Sequence, residues 1–237
     1  MATGNKHRKP LLSARMKLAD LPELDSRLLG VFTRMGLGFG FGEDSVEEAC
    51  RKNGVDVTTF LLICYVYLYD GNVPSEEVLQ GVEVRDIVRY LRNSHAYYME
   101  VAMDNLEDLI ERMLVPCEEK RKQVIRRFFI EYKQELARHF AYEENTVFPY
   151  VEAVLGHQAP GAFTILQYEE NHSNVEEKLG DLKNLIMKYI PAECDPQATV
   201  MVLMHLYYLE RDLRDHTSIE DNILVPVVNA LEKDENR

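Results

Sequence analysis

With 237 residues, 46% of them hydrophobic and 28% charged, the chain has room for one large domain, or for a bundle with a small additional unit, and either can bury a core. A net charge of −13 argues against a nucleic-acid partner, because phosphate binding needs clustered Lys and Arg. The longest apolar run, Phe60 to Leu68, is far short of the ~20 residues that span a bilayer. No apolar stretch of signal-peptide type follows Lys6, Arg8 and Lys9, so no membrane association and a cytoplasmic location are expected.

The basic residues of the first seventeen positions read as a solvated tail. Asp20 is expected to cap a helix that stops at Gly36. The glycine-rich stretch from Gly36 to Gly42 follows as a loop, and without GxxxxGK[ST] or a preceding strand it is no phosphate cradle. Asp44 or Ser45 then caps a short helix closed by Gly54, Asp56 caps another running to Asp70-Gly71-Asn72, and Pro74-Ser75 opens a last short one. From Glu83 the pattern changes to long helices. They are expected at about 83–114, ended by Pro116; 118–154, kinked or ended by Pro149; 161–189, ended by Pro191; and 196–233, with Pro226 near the end. The fold class is therefore all-α: an up-down four-helix bundle over 81–237 behind a small helical N-terminal domain over 1–80. Cys50, Cys64, Cys117 and Cys194 are widely scattered, with no Cys-x-x-Cys, and read as free thiols in a reducing compartment.

The second half of the bundle repeats the first. A shift of 77 positions carries His95 onto His172, His139 onto His216, Glu143 onto Glu220, Asn145 onto Asn222 and Pro149 onto Pro226. Each half reads His, 43 residues, then His-x-x-x-Glu. One His-x-x-x-Glu is weak evidence, since His172 and Glu176 have the same spacing by accident. The repeated offset is not accidental in that way. Residues i and i+4 share a helix face about 6 Å apart, so each His and Glu can turn inward to one site. Four imidazoles and two carboxylates buried without a ligand would cost several kcal/mol per unpaired charge, and two cations remove that cost.

His95, His139, His172 and His216 are assigned as terminal ligands, two per metal, with Glu143 and Glu220 bridging. Imidazoles with bridging carboxylates suit an oxo-bridged pair of iron ions first, manganese second, and zinc as a substituted form. Glu135 and Asp212, again 77 apart and one turn before a ligand histidine, either orient ligands and relay protons or are surface acids. His205, 11 residues before His216, reads as a core or channel residue, and His157 and His7 as solvated. Tyr97, Tyr98, Tyr207 and Tyr208 could serve redox chemistry or packing.

These residues resemble the hemerythrin-like di-iron domain, and more closely the di-iron iron–sulfur-cluster repair proteins. The likeness is carried by Leu91-Arg-Asn-Ser-His95-Ala-Tyr-Tyr98, by Gln134-Glu-Leu-Ala-Arg-His139-Phe-Ala-Tyr-Glu143-Glu-Asn-Thr-Val-Phe-Pro149, by Glu169-Glu-Asn-His172, and by Asp212-Leu-Arg-Asp-His216-Thr-Ser-Ile-Glu220-Asp-Asn-Ile-Leu-Val-Pro226. It implies a cytoplasmic protein that helps restore iron–sulfur clusters after oxidative or nitrosative stress. Its site would meet NO or O₂, would donate iron, and would place Glu135 near the metals. Iron–sulfur client proteins are the implied partners. Ser45-Val-Glu-Glu-Ala-Cys-Arg-Lys-Asn-Gly-Val-Asp56 resembles the small domain that precedes the bundle in this family. The family's adjacent cysteines are replaced here by Gly38-Phe-Gly-Phe-Gly42, and the acid before its third histidine by Asn171, with Glu170 one position further back.

The competing readings are a reversible O₂ or NO sensor or store, and a di-iron oxidase or peroxidase. The latter is disfavoured because neither half carries Glu-x-x-His at the site. Whether the site turns over a substrate, and how chains associate, stay open. All six proposed ligands lie beyond residue 78, which implies that the bundle could fold and load metal without the N-terminal segment.

Overall fold

The computed structural model describes residues 12–69, 73–158, 163–171 and 176–235. Among these the regular structure is helical, and the sole strand-like feature is an isolated bridge between Lys17 and Ser45. No described helix is long and apolar enough to cross a membrane.

The single helix expected from Asp20 is two, α1 (Leu21–Leu24) and α2 (Leu28–Arg34). Asp25 takes extended backbone between them and accepts from the Arg27 amide at 2.9 Å and its guanidinium at 3.1 Å, which breaks the helix. Gly36 follows α2 in the left-handed region, φ 79°, where only a residue without Cβ sits unstrained. Next, α3 (Val46–Asn53) opens on a complete capping box between Ser45 and Glu48. Asp56 caps α4 (Val57–Leu68), and α5 (Glu76–Leu79) follows Pro74-Ser75. Helix α4 is apolar nearly all round, and it lies buried against α12 of the bundle.

Four rods make the bundle. The first is α6 (Val84–Tyr97), a π turn (Tyr98–Ala102) and α7 (Met103–Leu114). The second is α8 (Glu119–Tyr142), a π turn (Glu143–Val147) and α9 (Phe148–Leu155). In the third, α10 (Ile165–Asn171) and α11 (Glu176–Tyr189) are described. The fourth is α12 (Pro196–Ile219), a π turn (Glu220–Leu224) and α13 (Val225–Glu235). Contacts α7–α8, α8–α11, α11–α12 and α12–α7 close the rods into a ring. The π turns of the second and fourth rods each end two residues before Pro149 and Pro226. A proline offers no amide and its ring crowds the carbonyl four residues back. The wider turn, with Phe148 N bonded to Glu143 O and Val225 N to Glu220 O, relieves that crowding.

The core is in two parts. One part joins residues between 18 and 91 to residues between 147 and 168 and between 219 and 228. The other fills the far end of the bundle around Met103, Phe129, Leu182 and Leu206. The proposed boundary at 80/81 falls in the connection between α5 and α6, and the first core runs across it.

The expectation of four free thiols needs correction. Cys117 and Cys194 are joined in a disulfide, their Cα atoms 5.2 Å apart, while Cys50 and Cys64 are free and buried. The two partners are 77 residues apart, the period of the internal repeat, so they occupy equivalent loops that meet at one end of the bundle. Scatter along the sequence concealed that symmetry, and the argument for a reducing compartment loses the support it drew from free thiols.

Candidate metal centre

The candidate ligands lie between the two cores. Glu143 and Glu220 each begin a π turn, and His95 lies three residues before the third. Both glutamates are 0% exposed, and His95 and His216 are 5% and 1% exposed.

Glu143 reaches two imidazoles with its two oxygens. Its Oε2 lies 3.0 Å from His95 Nε2 and its Oε1 lies 3.1 Å from His139 Nε2. The Tyr168 hydroxyl donates to the same Oε1 at 2.8 Å. Ligand atoms of His95, His216 and Glu220 all lie within 4.8 Å of one another, so the first and fourth rods supply one compact donor cluster. His216 Nδ1 is 3.5 Å from Glu220 Oε2, while its Nε2 is buried with no hydrogen-bond partner among the described residues. The His95 and His216 rings are 5.1 Å apart, and Phe140, Phe148 and Tyr98 wall them in.

The electrostatics show what such a site lacks. Burial pulls the His95 pKa down, but hydrogen bonds donated by the ring to Glu143 and Glu144 outweigh it and raise the value to about 9. Burial, with a charged His95 beside it, drives His216 down to about 3. Burial and the Glu220 and Glu143 charges push the Tyr168 hydroxyl far up, so it stays a neutral donor. With His95 cationic its neighbour His216 stays neutral, so this pair of imidazoles contributes one positive charge beside two buried carboxylates. Metal cations would balance them, and a buried, unpartnered His216 nitrogen in a group with His95 and Glu220 fits an imidazole–carboxylate metal such as iron.

His95, His139, Glu143, His216 and Glu220 are therefore brought together, whereas His172 lies outside the described residues. Asp212 is buried, and its carboxylate is engaged by residues of the N-terminal segment. It takes two hydrogen bonds from Arg34 of α2, at 3.1 and 2.5 Å, and one from the Tyr67 hydroxyl at 2.8 Å. Glu135 pairs with Lys178 near the surface. The two acids that the repeat relates thus have unlike surroundings.

His205 corrects the expectation of a core residue: it is exposed, with Nδ1 3.0 Å from Met201 O. The buried stripe of α12 runs through Val202, Leu206, Leu209, Leu213 and His216, a seven-residue repeat, and an offset of 11 falls off it. Tyr98 is fully buried and donates to Asp212 O at 3.3 Å, while Tyr207 and Tyr208 lie on the exposed side of α12. His157 is exposed and His7 lies outside the described residues.

Sequence reasoning missed two neighbours of the ligands. Glu144 Oε1 lies 2.8 Å from His95 Nδ1 and fixes the ring from outside, and its acidic counterpart in the repeat, Asp221, was the available signal. Tyr168 has Leu91 at the equivalent position, so the repeat could not reveal it.

Comparison with known proteins agrees with this geometry. The model of the hemerythrin HHE cation binding domain matches residues 86–228. The iron-sulfur cluster repair protein ScdA of Staphylococcus haemolyticus is 21% identical over 199 residues, covering 82% of this chain and 89% of that protein. The iron-sulfur cluster repair protein YtfE of Musicola paradisiaca is 21% identical over 216 residues, covering 88% and 94%. The YtfE protein of Salmonella schwarzengrund is 27% identical over 193 residues, covering 78% and 83%.

Proposed function

Because the chain belongs to the hemerythrin HHE cation-binding family, we propose that it holds two iron ions and acts in iron–sulfur cluster repair under oxidative or nitrosative stress. The observation that carries the reading is Glu143, whose two oxygens face imidazoles of two different rods beside the His95–His216–Glu220 cluster. The names of relatives aligned over most of both chains supply the biological context.

In this reading His95, His139, His172 and His216 would hold the metals together with Glu143 and Glu220. Such a pair, when bound, would supply iron for donation and redox chemistry toward NO or O₂. The protein's own part is to position and to exclude water. Glu144 orients His95, the neutral Tyr168 hydroxyl holds Glu143 by a hydrogen bond, and Phe140 and Phe148 cover the His95 ring. Iron–sulfur proteins are the expected clients.

The test is anaerobic metal content and optical spectroscopy before and after NO. Protein made with iron should carry close to two iron atoms per chain, with charge-transfer bands in the near ultraviolet when oxidised. A reproducible value at or below one, without those bands, removes the two-metal assignment. Reversible NO binding with full iron retention, even in the presence of an apo client, moves the reading to a gas sensor or store.

A further inference from the structure

The ligands divide between two helical hairpins. Rods one and two carry His95, His139 and Glu143, and the fourth rod carries His216 and Glu220. A metal pair would therefore tie the hairpins together at one level only. On the order of 30 Å away along the first rod, by the helical rise, the loops at 115–118 and 190–195 meet, and Asp195 N donates to Met113 O at 3.3 Å. Cys117 and Cys194 join there, at repeat-equivalent positions and buried in the second core.

We propose that Cys117 and Cys194 are a reversible thiol–disulfide site that holds the two hairpins together when the metals leave, an inference that rests on the metal-loaded reading above. The chemistry is exchange with a low-molecular-weight disulfide. One protein thiolate attacks it and releases a thiolate, and the second cysteine attacks the mixed disulfide and releases another. Two protein thiols are oxidised by two electrons while one external disulfide is reduced to two thiols. Cys50 and Cys64 do not compete. Both lie in the first core, where burial pushes the Cys50 thiol up to about 12 and holds the Cys64 thiol well above the usual thiol range.

The arrangement suits a protein whose metals come and go. Without cations, Glu143 and Glu220 put like charges from opposite hairpins into one buried space. A covalent tie across 77 residues removes much of the unfolded chain's freedom and so opposes separation. An oxidising episode that strips the iron would thus also close the bridge that keeps the empty bundle folded.

The experiment uses the full chain stripped of metal with a chelator, equilibrated with oxidised glutathione or with dithiothreitol. Thiols are counted after denaturation, and melting is followed by circular dichroism. Two thiols should remain after oxidation and four after reduction, and the oxidised metal-free protein should melt roughly 10 °C higher. The Cys117→Ser/Cys194→Ser double variant should melt alike under both conditions. Four thiols after oxidation, or equal melting of oxidised and reduced wild type, would overturn the proposal. Thiol counting is independent of iron. A chain that never binds iron but forms the bridge refutes the metal reading, whereas one that holds two irons but leaves four thiols after oxidation refutes this proposal alone.

Discussion

Glu143→Ala is expected to lose the coupled metal pair, leaving one iron per chain or none. Glu143 is wholly buried and its carboxylate reaches both His95 and His139. Removing it takes an anion from between two buried cations. Their repulsion is on the order of 4 kcal/mol for each pair of unit charges about 4 Å apart at an effective dielectric of about 20. His95→Ala is a milder change, because the lost ligand is neutral and water can fill its position. Substantial iron should remain in that variant, with altered NO binding. The repeat adds a stricter demand: Glu220→Ala should resemble Glu143→Ala, and His172→Ala should resemble His95→Ala. Iron content and magnetic coupling of the four proteins, prepared identically, decide it. A fully retained coupled centre in either glutamate variant would remove that residue as a bridge.

What the sequence made legible was what symmetry and local chemistry repeat. The 77-residue shift exposed the histidines and glutamates, because each half must present its ligands at the same height of the bundle. Caps at Ser45 and Asp56 were readable because their hydrogen bonds span three residues. The π turns were foreshadowed only where Pro149 and Pro226 force a wider turn, and the one after His95 carries no such mark. His205 was misjudged because an offset of 11 matches a straight helix, whereas the buried stripe of α12 follows a seven-residue repeat. Tyr168 and the Arg34–Asp212 pair were beyond reach for another reason. Each is a contact between elements that the repeat does not relate, and in the latter the partners are 178 residues apart.

That pair sets the last expectation, which bears on whether the N-terminal segment is dispensable. Arg34→Met should destabilise the protein by about 3–5 kcal/mol, the usual cost of removing one partner of a buried ion pair. Asp212 is 1% exposed and Arg34 3% exposed, with Tyr67 and Tyr90 hydroxyls completing the network and the Tyr97 and Tyr98 rings 4.5 and 5.1 Å from the guanidinium. Without Arg34 the Asp212 carboxylate is left in the core with the Tyr67 hydroxyl as its remaining side-chain donor, one turn before His216. The midpoint of thermal unfolding should fall by roughly 10 °C. The double variant Arg34→Met/Asp212→Leu should recover most of that loss, because replacing a buried ion pair by apolar groups is often nearly neutral. Thermal and denaturant unfolding of the two single variants and the double variant give the coupling directly. The same reasoning applies to deletion of residues 1–78, which spares every proposed ligand. It removes Arg27, the buried partner of Asp215, together with Arg34 and Tyr67, and uncovers the core beneath Leu28, Phe32 and Phe60. The truncated chain is therefore expected to lose the cooperative unfolding of the bundle. If it instead keeps full helicity and two irons, or if Arg34→Met costs under about 1 kcal/mol, a range usual for exposed pairs, then the network is not what seats the helix that carries His216.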